Sequence, residues 1–159
     1  MTDAALILLA EDDADDAFLI GRTLEKAHIL NPIHVVKDGD QAIAYLLGDG
    51  LYSDRALYPL PGLVLLDLKM PRRSGFEVLS WRRQRPELKS VPIVVLTSST
   101  DIRDVNLAFQ LGADGFMIKP ADFLRFVEFS EALSGHWLWL SQSPKLPLAA
   151  MDVGCAVRI

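Results

Sequence analysis

Five residues of types that can do chemistry stand where short apolar segments of the sequence end. They are Glu11, Asp12, Asp67, Thr97 and Lys119. Carboxylates crowded into one place repel one another and raise one another's pKa. A bound Mg2+ relieves this repulsion, because the ion prefers oxygen ligands and takes one or two carboxylates together with water and phosphate oxygens. The three acids therefore predict a magnesium site, provided that the fold brings them together.

Asp67 is a candidate nucleophile for a phosphoryl group. A carboxylate is already ionised at neutral pH and needs no general base, and aspartyl phosphates are a known covalent product. Lys119 and the Thr97 hydroxyl can hold the phosphoryl oxygens while the metal neutralises their charge. The five residues together predict transfer of a phosphoryl group to Asp67.

The elements that must position these residues are short strands alternating with amphipathic helices. Most strands are apolar at consecutive positions, which is typical of strands buried on both faces. The alternation implies parallel strands joined by right-handed crossovers. The predicted fold class is α/β, a three-layer (βα)5 sandwich with a five-stranded parallel sheet, whose ligands bind beyond the carboxyl ends of the strands. The predicted strands are 5–10, 33–36, 63–68, 93–97 and 115–118, and the predicted helices are 15–27, 40–47, 75–84, 101–111 and 121–133.

Helix-end residues support this assignment. Ser74 and Asp101 are predicted N-caps, and Gly112 follows its helix as a C-terminal glycine does. Asp13 has two open interpretations: it joins the acidic cluster, or it caps the first helix.

Two segments do not fit a minimal unit of this kind. Residues 48–62 form a long loop between the second helix and the third strand. Residues 141–159 contain Pro144 and Pro147 and cannot continue a helix. We therefore predict one domain over residues 1–140 with an inserted loop, followed by a C-terminal extension that packs in an interface.

Composition and charge exclude several classes of protein. The chain of 159 residues is 50% apolar and 23% charged, as ordinary globular domains are. Its net charge of −5 provides no footprint for nonspecific nucleic-acid binding. The single Cys155 excludes a disulfide framework. The apolar run 4–10 is shorter than the roughly 18 residues of a membrane helix and has no basic flank, so we expect no signal peptide, no membrane partner and a cytoplasmic location.

The stretch from Ala5 to about Leu140 resembles the receiver domain of two-component response regulators. The matching pieces are LILLAEDD, VLLDLKMPRRSG, IVVLTSS and GADGFMIKP. Thr97 follows Asp67 by 30 residues, and Lys119 follows Thr97 by 22. Four motifs in the expected order are far more specific than any one of them, and the resemblance implies a flavodoxin-like receiver topology.

The resemblance also implies a set of metal ligands. Asp67 would be the phosphoacceptor, Asp12 a direct Mg2+ ligand and Glu11 a ligand through water. The backbone carbonyl of Lys69 would complete the protein's share of the shell. Glu11 departs from the family, where aspartate is commonest, and its longer arm is expected to shift metal affinity without abolishing it.

The remaining roles implied by the resemblance concern the response to phosphorylation. Lys119 would bind the phosphoryl group, Thr97 would be the switch hydroxyl and Phe116 the switch aromatic. The donor would be the phosphohistidine of a sensor histidine kinase. The protein would be a signalling protein and not an enzyme, since it would catalyse only its own phosphotransfer and autodephosphorylation.

The long loop and the extended C-terminus resemble those of stand-alone receivers that serve bacterial phytochrome-type kinases, which implies light as the upstream signal. The fifth predicted helix is apolar nearly all round, as a helix buried on two sides is. We therefore predict a homodimer through the fourth helix, fifth strand and fifth helix, with the tail on the partner subunit; a tail folded back on its own domain is the alternative. The predicted interface residues are Phe123, Phe129, Trp137 and Trp139.

Other functions lack their required residues. A dinucleotide-binding module needs a glycine-rich loop after the first strand, where this chain has AEDDADD. A P-loop motif is absent from the sequence. A phosphatase that works through an aspartyl phosphate needs an acid two residues after the nucleophile, where Lys69 stands. The remaining rival is a non-phosphorylated pseudo-receiver that acts as a scaffold. A basic run around the third helix is interpreted as a solvated face, with contact to a phosphodonor domain as the alternative; it comprises Arg72, Arg73, Arg82, Arg83 and Arg85.

Overall fold

The computed structural model describes residues 5–26, 29–98, 101–119 and 155–157 of the chain. Strands and helices alternate in it from β1 to β5. The strands are β1 (Ile7–Ala10), β2 (Ile33–Val36), β3 (Leu63–Leu66), β4 (Ile93–Thr97), β5 (Gly115–Ile118) and β6 (Cys155–Val157). The helices are α1 (Ala14–Lys26), α2 (Gly39–Leu47), α3 (Gly75–Arg83) and α4 (Ile102–Gln110), with 3-10 turns at Gly50–Tyr52 and Pro86–Leu88.

The sheet confirms the predicted α/β fold. Its order is β2-β1-β3-β4-β5-β6, and the first five strands are parallel. The sheet also contains a strand that was not predicted. β6 pairs antiparallel with β5, with Ala156 opposite Phe116. β6 lies at the edge of a sheet of its own chain, whereas the predicted fifth helix and its interface aromatics lie outside the described residues.

The core lies on both faces of the sheet, because neighbouring residues of each strand point to opposite sides. Leu8 of β1 and Leu66 of β3 pack on the face covered by α2, α3 and α4. Ile7 and Leu65 pack on the face covered by α1. All four are fully buried. This double burial explains why the strands are apolar at consecutive positions.

The helix ends match the predicted caps. Ser74 and Glu77 form a capping box at the start of α3, and the Asp101 side chain accepts a hydrogen bond from the Arg103 amide at the start of α4. Gly112, just beyond α4, has φ 101°, a left-handed conformation that favours glycine. Asp13 is the cap of α1, since its Oδ1 accepts hydrogen bonds from the first-turn amides of residues 15 and 16 at 2.9 and 3.0 Å.

The inserted loop 48–62 is fastened to α2 by an arginine. Arg55 donates hydrogen bonds to the carbonyl oxygens of Tyr45 at 2.8 Å and Leu46 at 2.7 Å. These belong to the last turn of α2, whose carbonyls have no partner within the helix. Arg55 also donates to Tyr58 in the loop itself, so a single guanidinium joins the loop to the helix before it.

An aromatic cluster packs the same loop against β2. His34 of β2 lies among Tyr45, Tyr52 and Tyr58, with ring centroids 5.1, 5.6 and 5.7 Å from its own. Burial lowers the pKa of His34 below its ordinary value. The cluster was not predicted, because its members come from a strand, a helix and a loop that only the fold brings together.

One residue of the basic run is buried rather than solvated. Arg82 is 6% exposed. It donates hydrogen bonds to the carbonyl oxygens of Val91 at 3.1 Å and Gly112 at 2.6 Å and pairs with Asp114. The prediction of a solvated face was wrong for Arg82, which joins the end of α3 to the loops before β4 and β5.

None of the helices among the described residues combines the length and the apolar character needed to cross a membrane.

Candidate functional site

The strand ends bring the predicted residues to one edge of the sheet. Glu11, Asp67 and Lys119 each stand one position beyond the last residue of a strand. Ladder-like backbone hydrogen bonds hold them there. The Asp67 amide donates to the Ala10 carbonyl at 3.0 Å, and the Lys119 amide donates to the Thr97 carbonyl at 2.6 Å. The carboxylates and the lysine therefore meet because parallel strands end together.

Glu11, Asp12 and Asp67 form an acidic cluster that suits a divalent cation. One carboxylate oxygen from each lies within 4.8 Å of the others. Glu11 Oε2 is fully buried and makes no hydrogen bond of acceptable geometry. Burial, with the neighbouring Asp67 charge, raises the pKa of Glu11 to about 7. A cation here would remove the energetic cost of ionising Glu11, so the residues fit the predicted magnesium ion.

Lys119 places a positively charged side chain next to the acidic cluster. Its Nζ lies 2.5 Å from Glu11 Oε2 and donates a hydrogen bond to Asp67 Oδ2 at 3.2 Å. Burial alone would lower the pKa of Lys119, but the Glu11 and Asp67 carboxylates outweigh burial, and its pKa is raised above the ordinary value. Lys119 is therefore a permanent positive charge beside Asp67.

Asp16 is a site residue that the sequence analysis missed. It lies in the first turn of α1, and its Oδ2 accepts a hydrogen bond from Lys119 Nζ at 3.2 Å. Acidic residues are common in the first turn of a helix, where they face the positive end of its dipole. The sequence therefore contained no signal that distinguished Asp16 from Asp15.

The predicted switch residues occupy two different environments. Thr97 ends β4 and is fully buried at the edge of the site. Phe116 is 2% exposed and belongs to the core on the α2–α4 side. The Lys69 side chain is exposed, and its backbone amide donates to Asp67 Oδ1 at 3.4 Å.

The loop after Asp67 returns closely onto α3. The Gly75 amide donates a hydrogen bond to the Leu68 carbonyl at 2.9 Å. A Cβ on Gly75 would meet the Asp67 carbonyl oxygen and lie 2.8 Å from the Leu68 Cα. The absent side chain therefore allows α3 to begin against the backbone that carries Asp67.

Comparison with known proteins agrees with this geometry. A family profile described as the response regulator receiver domain matches residues 7–130. The chain belongs to this family. Receiver domains are signalling proteins of two-component systems, as the sequence motifs predicted.

The relatives of this receiver include regulators named for phytochromes. Response regulator Rcp1 of Synechocystis sp. is 33% identical over 133 residues, which cover 84% of this chain and 88% of Rcp1. The crystal structure of the phosphorylated cyanobacterial phytochrome response regulator RcpA aligns with a TM-score of 0.79 at 31% identity, over 91% of this chain and 99% of that one.

One of the similar solved structures contains a bound metal ion. The Mn2+-bound form of Rcp1 aligns with a TM-score of 0.76 at 32% identity, over 90% of this chain and 99% of that one. This receiver is thus similar to a protein that binds a divalent cation, and the acidic cluster formed by Glu11, Asp12 and Asp67 is consistent with such an ion.

Proposed function

We propose that this receiver accepts a phosphoryl group from the phosphohistidine of a sensor histidine kinase onto Asp67, with Mg2+ at the acidic cluster. The observation that carries the proposal is the contact of Lys119 Nζ with Asp67 Oδ2 at 3.2 Å, beside two further acids that fit a cation. A scaffold that is never phosphorylated has no need of this arrangement.

The transfer follows from the placement of these side chains. An oxygen of Asp67 forms a bond to phosphorus as the bond from phosphorus to the imidazole nitrogen breaks, and the nitrogen keeps the electron pair. The Lys119 ammonium and the Thr97 hydroxyl stabilise the phosphoryl oxygens. Glu11, Asp12, Asp67 and the Lys69 carbonyl would hold Mg2+, which when bound neutralises phosphoryl charge.

Intact mass spectrometry tests the proposal. The full chain is incubated with acetyl phosphate and Mg2+, and we expect it to gain one acid-labile phosphoryl group. Asp67→Asn is expected to gain none, because an amide is not a nucleophile of this kind. Asp49→Asn, a change at an exposed acid of the inserted loop, is the matched control and is expected to gain one.

Two outcomes would overturn the proposal. A native chain that gains no phosphoryl group with Mg2+ would favour the scaffold. Equal labelling of Asp67→Asn and the native chain would move the phosphoacceptor elsewhere.

The relatives support a proposal for the kinase partner. Rcp1 and RcpA are similar to this chain over most of its length, and RcpA is named as a phytochrome regulator. We infer that a phytochrome-type histidine kinase is the phosphodonor and light the upstream signal. Phosphotransfer profiling against a panel of purified histidine kinases tests this, with preferential transfer from a phytochrome kinase expected and equal transfer from unrelated kinases contradicting it.

The output is proposed to be contact between proteins, including a homodimer through α4, β5, the predicted fifth helix and the extension 141–159, whose strand β6 pairs with β5 of its own chain. Two apolar side chains of α4 support this: Ile102 is 64% exposed and Leu107 40%. Water contact with large apolar side chains is unfavourable, and a partner surface removes it.

Sedimentation of point variants tests the dimer. Ile102→Glu is expected to raise the dimer dissociation constant about tenfold or more, the size of a substantial interface residue. Leu51→Glu is the control, because Leu51 is similarly exposed at 74% but lies in the inserted loop. A native chain that stays monomeric, or equal effects of the two variants, would disprove this interface.

A further inference from the structure

Asp16 approaches the site lysine from outside the acidic cluster. The cluster that suits a cation consists of Glu11, Asp12 and Asp67. Asp16 comes from the first turn of α1, and its Oδ2 lies as close to Lys119 Nζ, at 3.2 Å, as Asp67 Oδ2 does. The proposed transfer to Asp67 does not use this fourth carboxylate.

Three carboxylates already compete for the Lys119 ammonium. An ammonium group has three N–H donors, and three carboxylate oxygens surround it, from Glu11 at 2.5 Å and from Asp16 and Asp67 at 3.2 Å. The Lys119 side chain is only 11% exposed. A phosphoryl oxygen that arrives at Asp67 therefore competes with these carboxylates for the Lys119 ammonium.

Asp16 is the acceptor that can release Lys119 most easily. Its side chain is 43% exposed, against 1% for Glu11 and 8% for Asp67. Water can take over the hydrogen bond of Asp16, whereas the buried carboxylates of Glu11 and Asp67 would need a metal ion to replace the ammonium. While Asp16 stays paired, its charge holds the ammonium and opposes an approaching phosphate.

We propose that Asp16 is a positioning residue that competes with the incoming phosphoryl group for Lys119 and thereby slows phosphorylation of Asp67. The inference rests on the proposed function of Asp67. With acetyl phosphate as donor, the new bond joins phosphorus to an Asp67 oxygen, the bond from phosphorus to the acetate oxygen breaks, and acetate leaves with the electron pair. Asp16 does not take part in either bond.

The experiment measures the second-order rate constant for phosphorylation of the full chain by acetyl phosphate with Mg2+, from timed intact masses. Asp16→Asn keeps an acceptor of similar shape and removes the charge. We expect its rate constant to rise about two- to fivefold, as the loss of a partly exposed charge contact implies. A merely structural contact would not produce a gain when it is lost.

Asp15→Asn is the matched control, because Asp15 is an exposed acid of the same helical turn. It is expected to react at the native rate, and Asp16→Glu is expected to restore a rate near the native one. A rate of Asp16→Asn equal to or below the native rate, or an equal gain in Asp15→Asn, overturns this inference alone. Absence of phosphorylation in the native chain overturns the proposed function as well.

Discussion

At the scale of single residues, the site depends on one lysine that balances several acids. Glu11 and Asp67 have side chains only 1% and 8% exposed, and Lys119 contacts both. A buried charge that loses its partner is strongly destabilising. Lys119 would bind the phosphoryl group, and before that group arrives it neutralises the acids. The same residue therefore serves both the chemistry of the site and the stability of the fold.

Lys119→Ala tests this coupling. Without Mg2+, the variant is expected to lose about 3 kcal/mol of unfolding free energy, because two buried carboxylates are left without a cation. Chemical denaturation measures the loss, and added Mg2+ is expected to recover part of it. Lys37→Ala, at an exposed lysine, is the control and is expected to change stability little. Equal stability of the two variants would show that Lys119 does not balance these acids.

At the scale of elements, α3 can begin where it does only because Gly75 has no side chain. Gly75 begins α3 against the backbone of Asp67 and Leu68. Gly75→Ala is expected to cost about 1–3 kcal/mol of stability, because the methyl group meets rigid backbone. Gly21→Ala in α1 is the matched control: a Cβ there meets nothing within 4 Å, and alanine favours a helix by up to about 1 kcal/mol. Denaturant unfolding compares the two, and an equal response would contradict the close packing.

The burial of His34 in the aromatic cluster predicts that the stability of the folded chain depends on pH. Because burial lowers the pKa of His34 from its ordinary 6.5, the folded chain favours the neutral imidazole. This stabilisation is present above pH 6.5 and is lost as the pH falls below it. We expect the melting temperature of the native chain to fall more on acidification than that of His34→Phe, which keeps a ring but cannot be protonated. Parallel curves for the two proteins would contradict this.

Local sequence predicted the elements better than the contacts between them. The strands 33–36, 93–97 and 115–118 were predicted at their observed bounds, and the four described helices to within one residue at every end. These segments have dense apolar runs and clear capping residues. Asp16 and His34 were missed because their roles arise from residues far away in sequence, Lys119 and Tyr52, and no local pattern contains that information. β6 is too short for its pattern to be distinctive.

At the scale of the whole molecule, β6 covers the outer edge of β5. Ala156→Pro removes a backbone N–H from β6 and is expected to speed hydrogen exchange at residues 115–117. Because β6 belongs to the same chain, the protection of these amides in the native protein is expected to be independent of protein concentration. Protection that increases with concentration would show that a second copy supplies the strand, and equal exchange in native and variant would show that β6 does not form.

The end of the molecule opposite the site is held by two arginines of α3. Arg82 donates to the carbonyl of Gly112, just beyond α4, and Arg83 donates to the carbonyl of Gln110, its last residue. The carboxyl end of α4 is therefore pinned, and Ile102 stands at the other end. Any tilt of α4 would turn about the pinned end, so an adjustment near Thr97 would displace the surface around Ile102 more than the carboxyl end of the helix.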